Sequence, residues 1–561
     1  MKRAIYTLGT PFVNWMYRCP VDLKRMDCAL SRLPLLVATA PANFTYTTNA
    51  RLSKGKFILL LALLAAASIS NLSAQTFTNL YYFTALNPTV YTNFDGSGPN
   101  SLLLSGGTLF GTAENGGNGS GTVFAMNMDG SGFKLLHSFK PAAYDNSYGY
   151  TNLDGALPND SLVLSGDTLY GTTYQGGTNG NGTIYSITTN GSVFTRLHVF
   201  TAEKPGPGTY TNVDGVGPQG GLVLSGTTLY GAAGGGGANG AGTIFSIATN
   251  GTDFLIIHAF KKGGYNDSFV YTNSEGAFPE APLTMSGNML YGTTYEGGTN
   301  GNGTVFSIAT SSAGFTVLHT FNSASDGRNI SSGLVLSGNT LYGTAYLGGP
   351  NGSGTVFSLG TNGGHFAVLY PFSAAGYDLV TSLWTNQDGW GPGGLVQSGN
   401  TLYGTTVQGT TNGEGMVFSI NTDDNSFARL YGFTALDSIA YTNLDGASPG
   451  SLVLSGNTLY GTAGGGVNGS GTIFRLAPPS VLRSPGIAGI SLVGANLIID
   501  ATNGVAGETC YVLASEDPTA PFGNWVPVAT NILTATDNFT ITATNAVNPA
   551  ALQQFYILKV Q

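Results

Sequence analysis

Seven copies of one short phrase, Ser-Gly-x-x-Leu-Tyr/Phe-Gly, constrain this chain more than any other feature. A phrase that recurs at a near-constant interval indicates one supersecondary unit stacked on copies of itself. Residues at repeat spacing are therefore interpreted first as parts of the fold. The copies begin at Ser105, Ser165, Ser225, Ser286, Ser337, Ser398 and Ser455.

The third copy predicts four short strands, at 221–225, 229–233, 243–247 and 254–260. Runs of β-branched and aromatic residues, separated by tight turns and one glycine-rich loop, are typical of an antiparallel meander. From the Ser of the phrase to the last Phe of the fourth strand, six copies measure 34 or 35 residues, whereas the connections vary from 16 to 26. This contrast favours rigid blades joined by surface loops.

The two ends of the repeat region complement each other. Phe77–Phe83 has the pattern of a fourth strand with no blade before it, and the seventh copy stops after its third strand, Gly471–Phe474. Pairing the surplus strand with the incomplete blade closes a ring and removes an exposed sheet edge. We predict an all-β fold, a seven-bladed β-propeller at 75–478. An open β-solenoid is the alternative, but it does not explain why one end has a surplus strand and the other end lacks one.

Three phrases, SGNTLYGT, GGTNGNGTIYSI and FTVLHTF, recur in order over roughly residues 77–476. Together they closely resemble the bacterial tandem-repeat family called GloVer, whose members are named choice-of-anchor proteins. The resemblance implies an exported repeat protein with a C-terminal sorting module, and it implies no particular activity. The chain end, Gln554–Gln561, has the pattern of a strand, which argues against a membrane-embedded tail.

The N-terminal segment has the features of an export signal. Three basic residues precede an apolar run at 57–67, and small residues follow it. This pattern predicts a signal peptide at 51–74, cleaved near Ala74, and a secreted or cell-surface protein. Residues 1–50 are interpreted as a misplaced start or an extended leader. No later segment is long and apolar enough to span a membrane.

Charge and cysteine content exclude several kinds of partner and site. From Gln75 onward the chain has 11 basic and 27 acidic residues, a net charge of −16. Because this negative charge repels phosphate groups, nucleic acid is not expected as a partner. Only Cys510 follows the leader, so neither an internal disulfide framework nor a cysteine metal site is available. We expect a monomer.

The C-terminal residues follow a different pattern from the repeats. After Pro478 and Pro479 the repeat stops, and 479–486 is predicted to be a linker. Alternating apolar strands at 487–561 predict a small β-sandwich-like module, in which Trp525 is interpreted as a core anchor.

The connections between blades share a second phrase, Tyr-Thr-Asn-x-Asp-Gly, with variants. One interpretation is that Asp-Gly makes a turn while the Tyr packs on a neighbouring blade. The other is that ring and carboxylate bind a sugar, with Ca²⁺ the only cofactor left open. The candidate ligand-binding residues are Tyr91, Asp95, Tyr150, Asp154, Tyr210, Asp214, Tyr271, Glu275, Asp326, Trp384, Asp388, Tyr441 and Asp445.

One position of the fourth strand is always histidine or tyrosine. Its occupants are Tyr81, His137, His198, His258, His319, Tyr370 and Tyr431. Because tyrosine replaces histidine within one chain, we predict a packing role with one polar tip rather than a metal site.

No catalytic or metal site is predicted from the sequence. It contains no G-x-S-x-G, H-E-x-x-H or P-loop motif. We therefore expect a binding or scaffolding module whose partner is a glycan or a surface protein. The alternative is a propeller enzyme that acts on polysaccharide through the loop carboxylates, although near-identical acids provide no unlike pair.

Overall fold

The computed structural model describes residues 76–145, 149–159, 161–206, 209–267, 270–379, 383–437, 440–478, 486–504, 509–516, 525–532, 537–546 and 555–560. The predicted leader at 1–50, the predicted signal peptide at 51–74 and nearly all of the predicted linker lie outside these residues. The described residues divide into two compact units, a repeat body within 72–481 and a C-terminal module within 482–561. Within them, no helix has the length and hydropathy needed to cross a membrane.

The repeat body consists of seven four-stranded antiparallel sheets, which confirms the predicted propeller. We number the sheets as blades 1 to 7 and their strands a to d from first to last in each copy. In order a to d, the strands are Ser97–Ser105, Thr108–Asn115, Thr122–Asn127 and Lys134–Ser138 in blade 1; Val163–Ser165, Thr168–Thr173, Thr183–Thr188 and Phe194–Val199 in blade 2; Val223–Ser225, Thr228–Ala233, Thr243–Ala248 and Leu255–Ala259 in blade 3; Thr284–Ser286, Met289–Thr294, Thr304–Ala309 and Thr316–Thr320 in blade 4; Val335–Ser337, Thr340–Ala345, Thr355–Gly360 and Ala367–Pro371 in blade 5; Trp390–Ser398, Thr401–Gln408, Met416–Asn421 and Phe427–Gly432 in blade 6; and Leu452–Ser455, Thr458–Ala463, Thr472–Ala477 and Thr76–Tyr82 in blade 7.

The two middle strands of each blade are buried on both faces. In blade 4, Leu290, Val305 and Phe306 are fully buried, because each blade is covered by a neighbour on either side. This explains why these strands are nearly continuous apolar runs instead of alternating ones. Strand d is partly exposed at the outer edge.

The glycine that ends the repeated phrase is required by packing. A Cβ atom built on Gly231 would lie 2.5 Å from Phe245 Cζ and 2.9 Å from Leu222 Cδ2. The ring on strand c thus lies against the bare backbone of strand b. The same arrangement recurs at Gly111, Gly171, Gly292, Gly343, Gly404 and Gly461.

The N-terminal strand completes blade 7. Thr76–Tyr82 pairs antiparallel with Thr472–Ala477, with Thr78 opposite Arg475. Blade 7 then packs on blade 1, where the backbone N–H of Gly98 donates to Ser470 O at 2.9 Å. These contacts are the ones that an open solenoid would lack.

Seven apolar clusters, one at each junction between successive blades, form the core of the propeller. The junction of blades 7 and 1 is built from the same kinds of residue as the others, and its cluster contains Phe124 of one blade and Tyr460 and Ile473 of the other. The a strands converge, since Thr284 Oγ1 in blade 4 donates to Leu334 O at the start of blade 5 at 2.5 Å. The a strands are therefore innermost.

Four connections contain short hairpins that were not predicted. Their alternation of Tyr or Trp around a turn is the sequence signal that could have revealed them. The paired strands are Ala143–Asp145 with Gly149–Thr151, Lys204–Gly206 with Thr209–Thr211, Gly264–Tyr265 with Tyr271–Thr272, and Gly376–Asp378 with Leu383–Thr385.

The C-terminal module consists of two three-stranded antiparallel sheets, as predicted for a sandwich-like fold. Both sheets contribute to one core, which includes Ile499, Val512 and Ile541. Trp525 is buried, and Tyr556 Oη donates to Ala546 O at 2.8 Å. In sheet order the strands are Gly486–Val493, Asn496–Gly504 and Asp537–Ala543, and Val526–Ile532, Thr509–Ser515 and Phe555–Val560.

Candidate functional site

The connections and the glycine-rich loops lie on one face of the propeller, which we call the loop-bearing face. Each connection leaves strand d, crosses this face and enters strand a of the next blade. Asn212 shows the contact between the two kinds of loop, because its Oδ1 accepts the N–H of Gly237 at 2.7 Å. The candidate residues of the connections therefore lie on this face.

The acid that recurs in each copy of the second phrase contacts the histidine or tyrosine of the preceding strand d. The bond is made by the imidazole Nε2 or the phenol Oη, and its length is 2.7 to 3.1 Å. In the sequence, the acids belong to the connections and the histidines or tyrosines belong to strand d, so their pairing was not predicted. The pairs are Tyr81 with Asp95, His137 with Asp154, His198 with Asp214, His258 with Glu275, His319 with Asp326, Tyr370 with Asp388, and Tyr431 with Asp445.

Each acid also accepts the backbone N–H of the residue that follows the last Phe of strand d. In the third connection, Asp214 accepts the N–H of Thr201 at 3.0 Å in addition to His198 Nε2. Asp214 is buried, as are four other acids, whereas Asp326 and Asp388 are half-buried. The carboxylates therefore fix the start of each connection to its own blade. The N–H donors belong to Thr84, Lys140, Thr201, Lys261, Asn322, Ser373 and Thr434.

The asparagine of the phrase is a second structural residue that sequence reasoning missed. Asn212 Nδ2 donates to Thr201 O at 2.8 Å and to Gly215 O at 2.7 Å, and Gly215 N donates back to Oδ1 at 2.9 Å. Gly215 has a φ of +109°, and a Cβ there would lie 2.5 Å from that of Ala233. The Asn-x-Asp-Gly segment thus forms one compact turn. The equivalent asparagines are Asn93, Asn152, Asn273, Asn386 and Asn443.

The fifth connection keeps the acid but lacks the asparagine. There Asp326 still contacts His319, and the carbonyl of Ser323 accepts the N–H of Gly349 at 2.8 Å. A backbone acceptor thus makes the contact to the glycine-rich loop that the asparagine amide makes elsewhere. Because the backbone replaces the asparagine side chain, the fifth connection needs only 16 residues.

Every histidine or tyrosine of this position also stacks on a phenylalanine of the next blade. The ring centroids are 3.7 to 4.3 Å apart and the rings are nearly parallel. At the closing blade, Phe77 stacks on Tyr431 and Tyr81 stacks on Phe133, so the N-terminal strand contributes to two junctions. The predicted packing role with one polar tip matches this geometry.

Burial affects the protonation of two of these histidines. It lowers the pKa of His258 and of His319 below the ordinary 6.5, because desolvation outweighs the attraction of the partner carboxylates. Burial by itself would raise the pKa of Glu275, but hydrogen bonds from Lys261 and His258 outweigh it and hold that pKa below its ordinary value. A neutral imidazole therefore donates from Nε2 to an ionised carboxylate.

The tyrosines at this position stay protonated. Burial, followed by the hydrogen bond to the neighbouring acid, raises the pKa of each phenol far above its ordinary value. They are Tyr81, Tyr370 and Tyr431. Histidine and tyrosine are thus interchangeable here as uncharged donors.

The aromatic residues that open the second phrase face outward, while the acids lie beneath. The side chains of Tyr91, Tyr150, Tyr210 and Tyr441 are 67%, 51%, 63% and 68% exposed. Tyr271 and Trp384 are half-buried, and Tyr271 Oη accepts the N–H of Gly263 at 2.7 Å. Ring and carboxylate of one phrase therefore occupy different depths, and four of the six rings are largely exposed.

The surroundings of the acids do not suit a calcium ion. The groups that face Asp214 and its equivalents are N–H and O–H donors, whereas Ca²⁺ requires several oxygen acceptors. In the described ranges, no group of three or more His, Cys, Asp or Glu side chains is placed to hold a metal ion. These carboxylates are therefore better suited to hold the connections than to bind calcium.

Comparison with known proteins identifies the repeat. Residues 143–270 and 261–393 each match the Gloeobacter/Verrucomicrobia repeat, and each match contains two blades. Among curated proteins, none matches the chain.

Similar solved structures include the GH74 xyloglucanase from Xanthomonas campestris, at 12% identity over 77% of this chain and 60% of that chain, with a TM-score of 0.44. An oligogalacturonate lyase in complex with manganese is 10% identical over 72% of this chain and 98% of that chain, with a TM-score of 0.41. Similarities at this level of identity and TM-score do not indicate an activity for this chain. The resemblance expected from the three phrases is confirmed by the family match, and residues 143–393 are tandem copies of the Gloeobacter/Verrucomicrobia repeat.

Proposed function

We propose that this protein is an exported binding or scaffolding module whose loop-bearing face binds carbohydrate. The observation that carries the proposal is the outward placement of Tyr91, Tyr150, Tyr210 and Tyr441 at equivalent positions of four connections. Exposed apolar groups clustered on one surface are typical of interaction sites. The flat face of an aromatic ring suits the apolar face of a sugar.

Repetition would strengthen such binding. Each ring offers a small contact, and four equivalent rings on one face can engage several units of one polymer. A rigid ring of blades keeps these rings in place, which limits the entropy lost on binding. A polysaccharide fits this arrangement better than a single small sugar does.

Binding is favoured over catalysis by the state of the seven acids. A general acid or base has to reach a proton of its substrate, and Asp214 is buried with both oxygens hydrogen-bonded. An enzyme that uses these carboxylates is therefore the weaker alternative. Location at the cell surface or outside the cell is supported by the signal-peptide pattern at 51–74.

A glycan array probed with the mature protein tests the proposal. We expect saturable binding to one or more polysaccharides without product formation. Replacing Tyr91, Tyr150, Tyr210 and Tyr441 together by alanine should weaken it by about tenfold or more, because multivalent contacts reinforce one another. Leu255→Ala, at a 63% exposed residue of strand d in blade 3, is the matched control and should leave binding unchanged.

Two results would count against the proposal. If no glycan binds, carbohydrate recognition is excluded and a protein partner becomes the better hypothesis. If soluble sugar products accumulate, and replacement of the seven acids by their amides abolishes them, the protein is an enzyme.

A further inference from the structure

One sector of the loop-bearing face contains aromatic residues from three successive blades. Tyr295 and Tyr346 follow strand b of blades 4 and 5, and Trp390 begins strand a of blade 6. Asn329 links the two tyrosines, since its Nδ2 donates to Tyr295 O at 3.4 Å and its O accepts the N–H of Tyr346 at 3.2 Å. The rings of Tyr346 and Trp390 are 5.3 Å apart, edge to face.

The third ring connects this cluster to the candidate residues of the second phrase. Trp390 lies parallel to Trp384, with centroids 5.9 Å apart, and both side chains are half-buried. We call Tyr295, Tyr346, Trp390 and Trp384 the aromatic platform. It joins the connection between blades 5 and 6 to the inner part of the face.

Two carboxylates adjoin the platform. Glu296 follows Tyr295 directly, and Glu280 lies two residues after Phe278, whose carbonyl accepts the N–H of Tyr295 at 2.9 Å. Burial, together with the charge of Glu296, raises the pKa of Glu280 to about 7. Arg328 is the cation that also acts on Tyr295. Above neutral pH the sector thus carries two carboxylates and one guanidinium.

No other sector repeats this combination. The positions equivalent to Tyr295 and Tyr346 hold Glu114, Tyr174, Gly234, Val407 and Gly464 in blades 1, 2, 3, 6 and 7. Aromatic residues at this position in two consecutive blades therefore occur, among the seven copies, only at blades 4 and 5. The seven-fold repeat is broken here by residues that its packing does not require.

We propose that the aromatic platform is the principal glycan subsite of this protein, and that Glu280 and Glu296 make it selective for neutral sugars over uronic acids. This inference rests on the proposed function. Rings supply stacking surfaces, and carboxylates accept hydrogen bonds from sugar hydroxyls. The same carboxylates repel an anionic sugar, whereas a neutral sugar experiences no such repulsion.

The overall charge acts in the same direction. The chain from Gln75 onward has 27 acidic and 11 basic residues, so its field disfavours anionic polymers approaching the face. Local repulsion grows when Glu280 ionises, because Arg328 then opposes two negative charges instead of one. Selectivity for neutral sugars should therefore increase as pH rises through 7.

The test compares matched variants by calorimetric titration with cellohexaose and with hexagalacturonate. Tyr346→Ala is paired with Tyr174→Ala, because each of these rings packs on a glycine of the next connection, at Gly391 and Gly217. We expect Tyr346→Ala to weaken cellohexaose binding by about tenfold, because it removes one ring on which a sugar stacks. Tyr174→Ala should change binding little, because Tyr174 lies outside the platform. Trp384→Ala provides a second variant of the platform if the first does not fold.

The carboxylates are tested in the same way. Glu280→Gln should reduce the preference for cellohexaose, and should remove the rise in that preference between pH 6 and pH 8. Glu114→Gln, at the position of blade 1 that Tyr295 occupies in blade 4, is the control and should retain both. Equal binding of the two ligands by the unmodified protein would overturn the selectivity.

The outcomes separate the two proposals. If the platform variants bind as their controls do, while the replacement of the four exposed tyrosines abolishes binding, the inference is wrong and the proposed function stands. If the unmodified protein binds neither these probes nor any glycan of the array, both are wrong.

Discussion

At the residue scale, the histidine or tyrosine of strand d serves packing and hydrogen bonding at once. His258 stacks on Phe315 with centroids 4.0 Å apart and bonds to Glu275 at 3.0 Å. A phenol at the same position makes both contacts, as Tyr370 does with Phe427 and Asp388. The requirement is a flat ring with an uncharged donor at its tip, which both residue types meet near neutral pH.

This requirement predicts a pH dependence of stability. The folded pKa values of His258 and His319 lie below the unfolded value, so the unfolded chain binds more protons as pH falls below about 6.5. Their contribution is fully present above that pH and is lost as pH falls from about 6.5 to the lower folded pKa values. Urea unfolding at pH 7, 6 and 5 should show that the unmodified protein loses stability relative to a variant without these two histidines, whereas the opposite effect of Glu280, whose pKa is raised to about 7, is common to both proteins.

The variant with both His258→Tyr and His319→Tyr is the matched control, because the chain itself uses tyrosine at this position in other blades. We expect it to lose part of the pH dependence between pH 7 and pH 5. An unchanged dependence would show that other groups cause it.

A second residue-scale prediction concerns the glycine of the repeated phrase. Gly231→Ala places a methyl group 2.5 Å from Phe245 Cζ, so we expect a loss of about 1–3 kcal/mol in the free energy of unfolding from overpacking. Gly264→Ala meets no atom within 4 Å and should change it by less than about 0.5 kcal/mol. Denaturant midpoints of the two variants measure the difference, and similar midpoints would contradict the steric explanation.

At the scale of elements, the N-terminal strand contributes more contacts than its length suggests. It forms the outer strand of blade 7, and its rings Phe77 and Tyr81 stack across the junctions on both sides of that blade. The four hairpins differ, because their rings are mostly exposed and they add little to the core. Variation in the connections is therefore tolerated where variation in a blade is not.

Deletion of residues 76–82 should open the ring. It exposes the edge of Thr472–Ala477 and removes both aromatic stacks, so we expect self-association through the free edge. Size-exclusion chromatography and limited proteolysis should show oligomers and cleavage in blade 7. A synthetic peptide of residues 76–83, added during refolding, should restore the monomer. A monomer that resists proteolysis without the peptide would argue against this closure.

At the scale of the whole molecule, stability is spread over seven similar junctions, while the C-terminal module has its own core. Among the residues that the structure describes, the apolar clusters of the propeller contain none beyond Leu476, and the buried cluster of the module lies within 497–556. The two units should therefore fold independently. A chain that ends at 481 should unfold at the same temperature as the propeller transition of the full protein. A lower transition would reveal a stabilising contribution from the module.

The sequence by itself determined the number of blades, the order of strands within each blade and the strand that closes the ring. These features depend on short-range patterns, such as the spacing of Ser105 and Ser165 and the surplus strand at Phe77–Phe83, which recur in a single chain. Tertiary structure alone decided the pairing of His137 with Asp154, because the two side chains are 17 residues apart and meet only after the connection folds back.

The aromatic platform is a still clearer case of tertiary determination. Tyr295, Tyr346 and Trp390 come from three blades, and each occupies an ordinary position of its own repeat. Their adjacency follows from the rotation between neighbouring blades, which no local pattern encodes. Local periodicity thus predicted the framework, whereas packing between blades determined which side chains share one surface.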